Sequence, residues 1–149
     1  ARKEEAQRST RHGLEFEAAV IDFVHGETQR TGDIFEATGA RVGRIKNCKV
    51  GDAVIELGPE STAPGAKIVV EAKEVAGYQE KEAREELETA RQNRDAVVGL
   101  FVFSRRTAPG AIEPLRRIGN DVFVVWDPED PQTELTLKLG VSLARALAV

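Results

Sequence analysis

Three residues in the middle of the chain, Asp52, Glu71 and Lys73, carry side chains that could act together in one chemical step. They lie within Gly51–Lys73, where polar and apolar residues alternate at both ends and glycine, proline and serine fill the middle. This pattern predicts two antiparallel strands joined by a loop. A hairpin centred on Ser61–Thr62 would place Asp52 opposite Glu71, and period-two alternation would put Lys73 on the same face. We therefore expect two carboxylates and one ammonium group in a single small patch.

The same register gives favourable neighbours along the rest of the hairpin. It forms one pair of opposite charge and two pairs of β-branched residues, which are combinations that stabilise neighbouring strands. The pairs are Glu56 with Lys67, Ile55 with Ile68, and Val54 with Val69.

The acidic pair requires a counter-charge. Side by side, the carboxylates of Asp52 and Glu71 would repel each other, and burial would raise the pKa of one of them. A divalent cation between them removes this conflict, and Mg²⁺ suits such oxygen ligands because it needs only one or two protein carboxylates and keeps several waters. Water on such a cation ionises more readily than bulk water, and Lys73 beside it could orient that nucleophile or stabilise charge developing on a phosphate.

These residues resemble a known signature. Asp52 followed by Glu71-Ala72-Lys73 is similar to the PD-(D/E)xK motif of the restriction-endonuclease-like nuclease superfamily, although Gly51 and not proline precedes the aspartate. The resemblance extends over roughly residues 13–126. It implies an α/β fold with a restriction-endonuclease-like αβββαβ core, in which helices flank a mixed central sheet, and the chain adds a C-terminal helix.

The resemblance also implies a function, that of a Mg²⁺-dependent nuclease that hydrolyses phosphodiester bonds in nucleic acid, with DNA as the expected substrate. Asp52 and Glu71 would hold Mg²⁺ or Mn²⁺, the carbonyl of Ala72 would fill a further position, and Lys73 would position the attacking water. Many members add a glutamate from the first helix, and Glu17 is the matching residue here.

Two residues after the hairpin extend this expectation. The helix that follows Lys73 starts close to it, so Tyr78 and Lys81 could face the cleft as a second layer around the site. For Tyr78, packing at the start of the helix is the alternative interpretation.

Charge and composition are those of a globular protein. The 149 residues fit one domain, and we expect a polar lead-in over 1–8, the end of an upstream segment, before a single nuclease-like domain over 9–149. The single cysteine, Cys48, cannot form an internal disulfide, which favours a reducing, cytoplasmic location. The net charge of −4 does not indicate a nucleic-acid-binding protein as a whole.

Positive charge is nevertheless concentrated just before the predicted site. The cluster is a candidate for nucleic-acid contact, and a solvated surface is its alternative interpretation. It consists of Arg41, Arg44, Lys46 and Lys49.

Periodicity predicts the remaining elements. They are a helix from about Ser9 to Gly32, short extended segments over 33–40 and 41–49, a helix over 78–94, a buried central strand over 96–103, a short helix over 107–118, a strand over 121–126 and a helix over 134–148.

The last helix carries leucine at every fourth position. This stripe could cover the sheet, or it could form a homodimer or partner surface. Its members are Leu135, Leu139, Leu143 and Leu147.

Two other functions remain open from the sequence. One is a catalytically inactive domain of the same fold that acts as a nucleic-acid or protein interaction module. The other is an open parallel nucleotide-binding fold, which is disfavoured because no glycine-rich phosphate loop follows a strand.

Overall fold

The computed structural model describes the backbone of residues 2–149 and the side chains of residues 11–149. These residues form one six-stranded mixed sheet and three helices. The α/β class, with helices on both sides of a mixed sheet, is confirmed. The elements are α1 (Arg2–Thr31), β1 (Ile34–Ala37), β2 (Ala53–Glu56), β3 (Lys67–Lys73), α2 (Glu80–Arg94), β4 (Val98–Ser104), β5 (Leu115–Ile118), β6 (Asp121–Trp126) and α3 (Pro131–Leu147).

The sheet has the strand order β1-β2-β3-β4-β6-β5. Strands β3, β4 and β6 are parallel, whereas β1, β2 and β5 join antiparallel at the two edges. Every residue of β4 is buried, which confirms the prediction of a central strand from its unbroken apolar sequence. No helix of the described chain combines the length and the apolar character that a bilayer crossing requires.

The hairpin forms in the predicted register. Ala53 lies opposite Val70 and Glu56 lies opposite Lys67. The regular pairing ends at Ala53, because the N–H of Asp52 donates to the carbonyl of Val70 at 2.9 Å, so the predicted pairing of Asp52 directly opposite Glu71 is not part of the ladder. Because successive side chains of a strand point to opposite faces, this register assigns each hairpin residue to one side of the sheet.

The two faces of the sheet contact different helices. One face packs against α2, and the other packs against α1 and α3. Val69 belongs to the α2 face, so alternation along β3 puts Glu71 and Lys73 on that same face. The core on the α2 side consists of three phenylalanines of the sheet and the buried apolar residues of the helix. They are Phe101, Phe103, Phe123, Ala83, Leu87 and Ala90.

The prediction of an extended segment over 41–49 is wrong, because these residues form an irregular loop, and only 33–40 contains a strand. The physical reason is that α2 supplies the hydrogen-bond partners that a neighbouring strand would have supplied. The N–H of Ile45 donates to the side-chain oxygen of Asn93 at 2.9 Å, and the N–H of Arg44 donates to the main-chain carbonyl of Asn93 at 2.9 Å.

The prediction of a short helix over 107–118 is also wrong. Turns lead into the edge strand β5, which pairs antiparallel with β6. Pro109 and Pro114 have no N–H to donate to a helix, and the carbonyl of Pro114 instead accepts from the N–H of Val125 at 3.0 Å.

The first helix begins earlier than predicted, at Arg2, so its backbone includes most of the expected lead-in over 1–8. Residue 1 lies outside the described residues. The helix ends where it was predicted to end, because Gly32 adopts a φ of +81° and its N–H donates to the carbonyl of Thr28 at 2.9 Å.

The face that α3 buries differs from the leucine stripe. Leu135 and Leu139 are 63% and 50% exposed, while the helix packs through its other side, centred on Gly140. A Cβ at Gly140 would lie 2.6 Å from Val124 Cγ1, so glycine lets the helix approach β6 closely. Leu143 and Leu147 pack at the edge of this contact.

An ion pair between Asp33 and Arg145 connects α3 to the hairpin loop. The Asp33 carboxylate accepts hydrogen bonds from Arg145 Nε at 2.6 Å and from the Gly58 N–H at 3.0 Å. Burial opposes ionisation of Asp33, but Arg145 and the Gly58 N–H outweigh it and hold the pKa of Asp33 below its usual value.

We expect Asp33→Asn to lower the free energy of unfolding by about 1.5 to 3 kcal/mol, because it leaves a partly buried guanidinium without its carboxylate. Urea unfolding near neutral pH measures this effect. As a control, Glu36→Gln removes the partner of Arg41 in a pair whose side chains are both more than half exposed, and should cost less than about 1 kcal/mol. Equal effects of the two substitutions would contradict the assignment.

Candidate active site

Two carboxylates meet where β2 and β3 begin to separate. The N–H of Gly51 donates to Glu71 Oε1 at 2.5 Å, and the N–H of Ala72 donates to Asp52 Oδ2 at 2.9 Å. Each carboxylate therefore binds the backbone N–H beside the other, which holds the two side chains next to each other. Among the described residues no hydrogen bond reaches the second oxygen of either carboxylate.

Burial makes this pair reluctant to ionise. Glu71 is only 2% exposed, and its burial together with the charges of Asp52 and Glu86 raises its pKa to about 9. Burial also raises the pKa of Asp52, although the Ala72 N–H and the Lys73 ammonium oppose that shift. The pair thus behaves as two acids that lack a sufficient positive counter-charge.

Lys73 lies on the same face and is anchored by a residue that the sequence did not indicate. Its Nζ is 3.3 Å from Glu86 Oε1 and 5.5 Å from the centre of the Tyr78 ring, and the Tyr78 hydroxyl donates to Glu86 Oε2. Burial opposes the charge on Lys73, but Glu86 outweighs it and raises the pKa of the ammonium. Lys73 is therefore a charged hydrogen-bond donor.

Glu17 approaches this cluster from the first helix. Its neighbours Phe16 and Val20 are buried against the opposite face of the sheet, and Glu17 itself is half-buried. Burial, and next the charge of Asp52, raise the pKa of Glu17, and the charges of Lys73 and Glu86 also reach it. The helix thus brings a further carboxylate to the cluster that the hairpin forms.

The remaining predicted residues occupy different positions. Ala72 directs its N–H to Asp52, and in a strand its carbonyl points to the same side. Tyr78 stacks on Phe101 at 5.9 Å and also contacts Lys73, so it both packs and lines the cluster. Lys81 is exposed on α2, five residues before Glu86 and on a different side of the helix.

A divalent cation fits the chemistry of the two hairpin carboxylates. No three His, Cys, Asp or Glu side chains of the described residues are grouped closely enough to hold an ion together. Mg²⁺ requires only one or two protein carboxylates and completes its shell with water, which is the donor set that Asp52 and Glu71 offer. Four acids, of which Glu86 is the fourth, share one ammonium, and a bound cation would favour the ionised form of the acids whose pKa is raised.

The loop before Asp52 is tied to the C-terminal end of α2. Arg94 is 8% exposed, and Asn93 donates to the carbonyls of Cys48 and Val50 at 3.1 and 2.8 Å. Arg94 Nη2 lies within hydrogen-bonding distance of four main-chain carbonyls, those of Thr38, Arg41, Lys49 and Gly51. The buried guanidinium thus holds both ends of the loop and the residue whose N–H binds Glu71.

This loop presents the four predicted basic residues at the surface. All four are exposed, but Arg41 pairs with Glu36, and Arg44 pairs with Asp95 at 2.8 Å. Lys46 and Lys49 are therefore the stronger candidates for contact with a polyanion.

Sequence reasoning missed Glu86, Asn93 and Arg94. Glu86 precedes the buried Leu87 and lies at the edge of the apolar stripe of α2, a position that marks it as half-buried but does not show which residues it contacts. Asn93 and Arg94 are buried polar residues at a helix end, and nothing in their local sequence distinguishes them from solvated residues.

No protein-family model and no curated protein sequence matches this chain. The interpretation of the site therefore depends on the geometry described above.

We expect Gly51→Ala to destabilise the fold more than Gly65→Ala. Both glycines have positive φ angles, +112° and +86°, but a Cβ at Gly51 would lie 2.7 Å from Arg94 Cγ, whereas a Cβ at Gly65 meets nothing within 4 Å. The overpacking should add about 1 to 3 kcal/mol to the cost at Gly51. Urea unfolding of both variants measures the difference, and equal losses would show that Arg94 does not pack against Gly51.

The raised pKa of Glu71 predicts a pH dependence of stability. Because the folded state holds this proton more tightly than the unfolded state, the stabilisation is complete below the unfolded pKa and is lost as pH rises through the folded pKa. In metal-free buffer, the free energy of unfolding should fall as pH rises from 4.5, the ordinary pKa of a glutamate, to about 9, and Glu71→Gln should reduce that slope. An unchanged slope in the variant would contradict the shift.

Proposed function

We propose that this protein is a Mg²⁺- or Mn²⁺-dependent nuclease of the restriction-endonuclease-like PD-(D/E)xK superfamily, acting on nucleic acid and on DNA in particular. The observation that carries the proposal is the pairing of β2 with β3, which sets Asp52 beside Glu71 and puts Lys73 on the same face. These residue types are those of the motif, at the ends of the strands where the motif requires them.

The order of elements supports the fold assignment within this proposal. From α1 to β4 the chain runs helix, three strands, helix, strand, which is the order of an αβββαβ core. Strands β1 to β4 are also adjacent in that order within the sheet. In this assignment β5, β6 and α3 are additions to the core.

Each residue of the cluster has a role in the proposed reaction. Asp52 and Glu71 would hold the cation, with the carbonyl of Ala72 as a further oxygen donor, and the predicted ligand Glu17 would act through a water bound to the cation. When bound, the cation would supply a water that ionises near neutral pH and would neutralise charge on the phosphate. Lys73, being protonated, would act as a hydrogen-bond donor that orients the attacking water or stabilises the phosphate oxygens, and not as a base.

The basic loop would provide contacts to the substrate backbone. Lys46 and Lys49 are exposed on the segment that leads into Asp52, so phosphates bound there would continue toward the carboxylates. Arg41 and Arg44 would contribute only if the substrate replaced their present acidic partners. A nucleic-acid substrate and a single cysteine fit a cytoplasmic location, which is part of the same proposal.

An inactive interaction module is the second candidate. It is favoured by one observation, that the polar side chains of the cluster already have partners within the protein: Lys73 binds Glu86, and the two hairpin carboxylates bind backbone N–H groups. Such a network could be purely structural. Binding of a divalent cation separates the two candidates.

We expect the parent protein to cleave DNA in the presence of Mg²⁺ or Mn²⁺ and Asp52→Asn or Lys73→Ala to reduce the rate at least about 100-fold while folding normally. Incubation with plasmid, linear and single-stranded DNA and with RNA, with and without metal, measures this. Glu56→Gln and Lys67→Ala are matched controls, because they remove one carboxylate charge and one ammonium charge at the opposite ends of β2 and β3.

The metal dependence has its own measurement. Because a ligand of the folded state raises the melting temperature, Mg²⁺ or Mn²⁺ should stabilise the parent protein and the Lys67→Ala variant but not Asp52→Asn. The absence of a metal-induced shift, together with no cleavage, would favour the interaction module. Full activity of both Asp52→Asn and Lys73→Ala would exclude the proposed mechanism.

A further inference from the structure

Glu86 contacts both Lys73 and Tyr78, although it belongs to neither the hairpin nor the motif. Its two carboxylate oxygens bind different partners, Oε1 the ammonium of Lys73 at 3.3 Å and Oε2 the hydroxyl of Tyr78. Its side chain is 23% exposed, so water competes only partly for these contacts.

We propose that Glu86 is a positioning residue that holds the Lys73 ammonium away from the metal-binding carboxylates and directed toward the place where the substrate phosphate would lie. The role of Lys73 in this inference depends on the nuclease function proposed above. The hydrogen-bonded arrangement of Tyr78, Glu86 and Lys73 does not depend on it.

The argument begins with the flexibility of lysine. Lys73 has a long side chain, and two carboxylates of the hairpin, those of Asp52 and Glu71, are near enough to influence its charge. Without another partner, the ammonium would be drawn to these two acids and would compete with a cation for them. Glu86 gives the ammonium an alternative partner on α2.

Glu86 is itself held in place by Tyr78. The tyrosine ring stacks on Phe101 with an angle of 11° between the rings, and Phe101 is fully buried in β4. The hydroxyl of this fixed ring binds one oxygen of Glu86, which orients the other oxygen toward Lys73. The sheet thus determines the position of the ammonium through two successive side chains.

Loss of the contact between Glu86 and Lys73 should affect turnover more than substrate binding. Since catalysis depends on the position of the reacting groups to within about 1 Å, we expect Glu86→Gln to reduce kcat by about 10- to 100-fold with little change in KM for DNA. Glu86→Asp keeps the charge and should recover part of the rate. Glu85→Gln, on the exposed side of the same helix, should behave as the parent protein.

Tyr78 offers a second measurement that needs no activity, because it is the only tyrosine in the chain. Its burial and then its hydrogen bond to Glu86 raise the pKa of the hydroxyl, and Glu71 and Glu82 add to the shift. Lys73 faces the ring from β3, and Phe101 beneath it is apolar. Tyrosinate absorbance therefore reports on this arrangement alone.

The experiment compares tyrosinate formation with alkaline unfolding, followed by circular dichroism, in the parent protein and in the Glu86→Gln and Glu85→Gln variants. We expect Tyr78 to ionise only with unfolding in the parent protein and in Glu85→Gln, and before unfolding in Glu86→Gln. An unchanged titration in Glu86→Gln would overturn the arrangement. An unchanged kcat in Glu86→Gln, in a protein that requires Lys73, would overturn the positioning role.

Failure of the proposed function gives a different result. In that case no variant cleaves nucleic acid and the parent protein shows no metal-induced stabilisation, while the tyrosinate measurement still supports or excludes the contact between Glu86 and Tyr78.

Discussion

Repulsion among carboxylates that are partly removed from water is the constraint on which the site depends. Desolvation disfavours the charged form of each acid, and each additional acid nearby adds to the cost. Two backbone N–H groups and the ammonium of Lys73 offset part of this cost, and the pKa of Glu71 stays raised because burial and the neighbouring acids outweigh them. A buried group of acids whose negative charge is only partly neutralised destabilises the fold, and a bound cation would remove this destabilisation.

Helix α2 connects the parts of the protein that this constraint involves. Its middle supplies Glu86 to the cluster, its apolar stripe covers the phenylalanines of the sheet, and its last turn supplies Asn93 and Arg94 to the loop before Asp52. Displacement of the helix would therefore move the lysine partner and the loop together. Although most of its residues are charged, α2 is as important to the site as the hairpin.

The hairpin, the central strand and the side of the sheet on which each strand residue lies could be predicted from the sequence, because they follow from the pattern of neighbouring residues. Alternation and the central position of the turn determined which residues face each other, and an unbroken apolar run indicated burial on both sides. The predictions failed where distant residues decided the outcome. Several backbone groups of residues 41–49 have their hydrogen-bond partners on α2, and residues 107–118 contain a strand because β6 offers an open edge.

The candidate site divides in the same way. Glu71 and Lys73 share a face because side chains alternate along a strand, and Asp52 reaches Glu71 at the end of the ladder. Glu17 was proposed from the resemblance. Glu86 was not found, because helix periodicity places it at the border between the buried and the exposed side, and only the tertiary position of Tyr78 and Lys73 shows which side it serves. Arg94 resembled any other charged residue at the end of a helix, where a basic side chain is expected for electrostatic reasons.

The conformation of Gly51 excludes the proline that stands before the aspartate in the PD-(D/E)xK motif. A pyrrolidine ring would fix φ near −65°, on the opposite side of zero from the observed +112°, and its nitrogen would have no hydrogen to give to Glu71. In this version of the hairpin, glycine is therefore required and proline is excluded. A sequence pattern that requires proline at this position would miss any protein in which the N–H of that residue binds the glutamate.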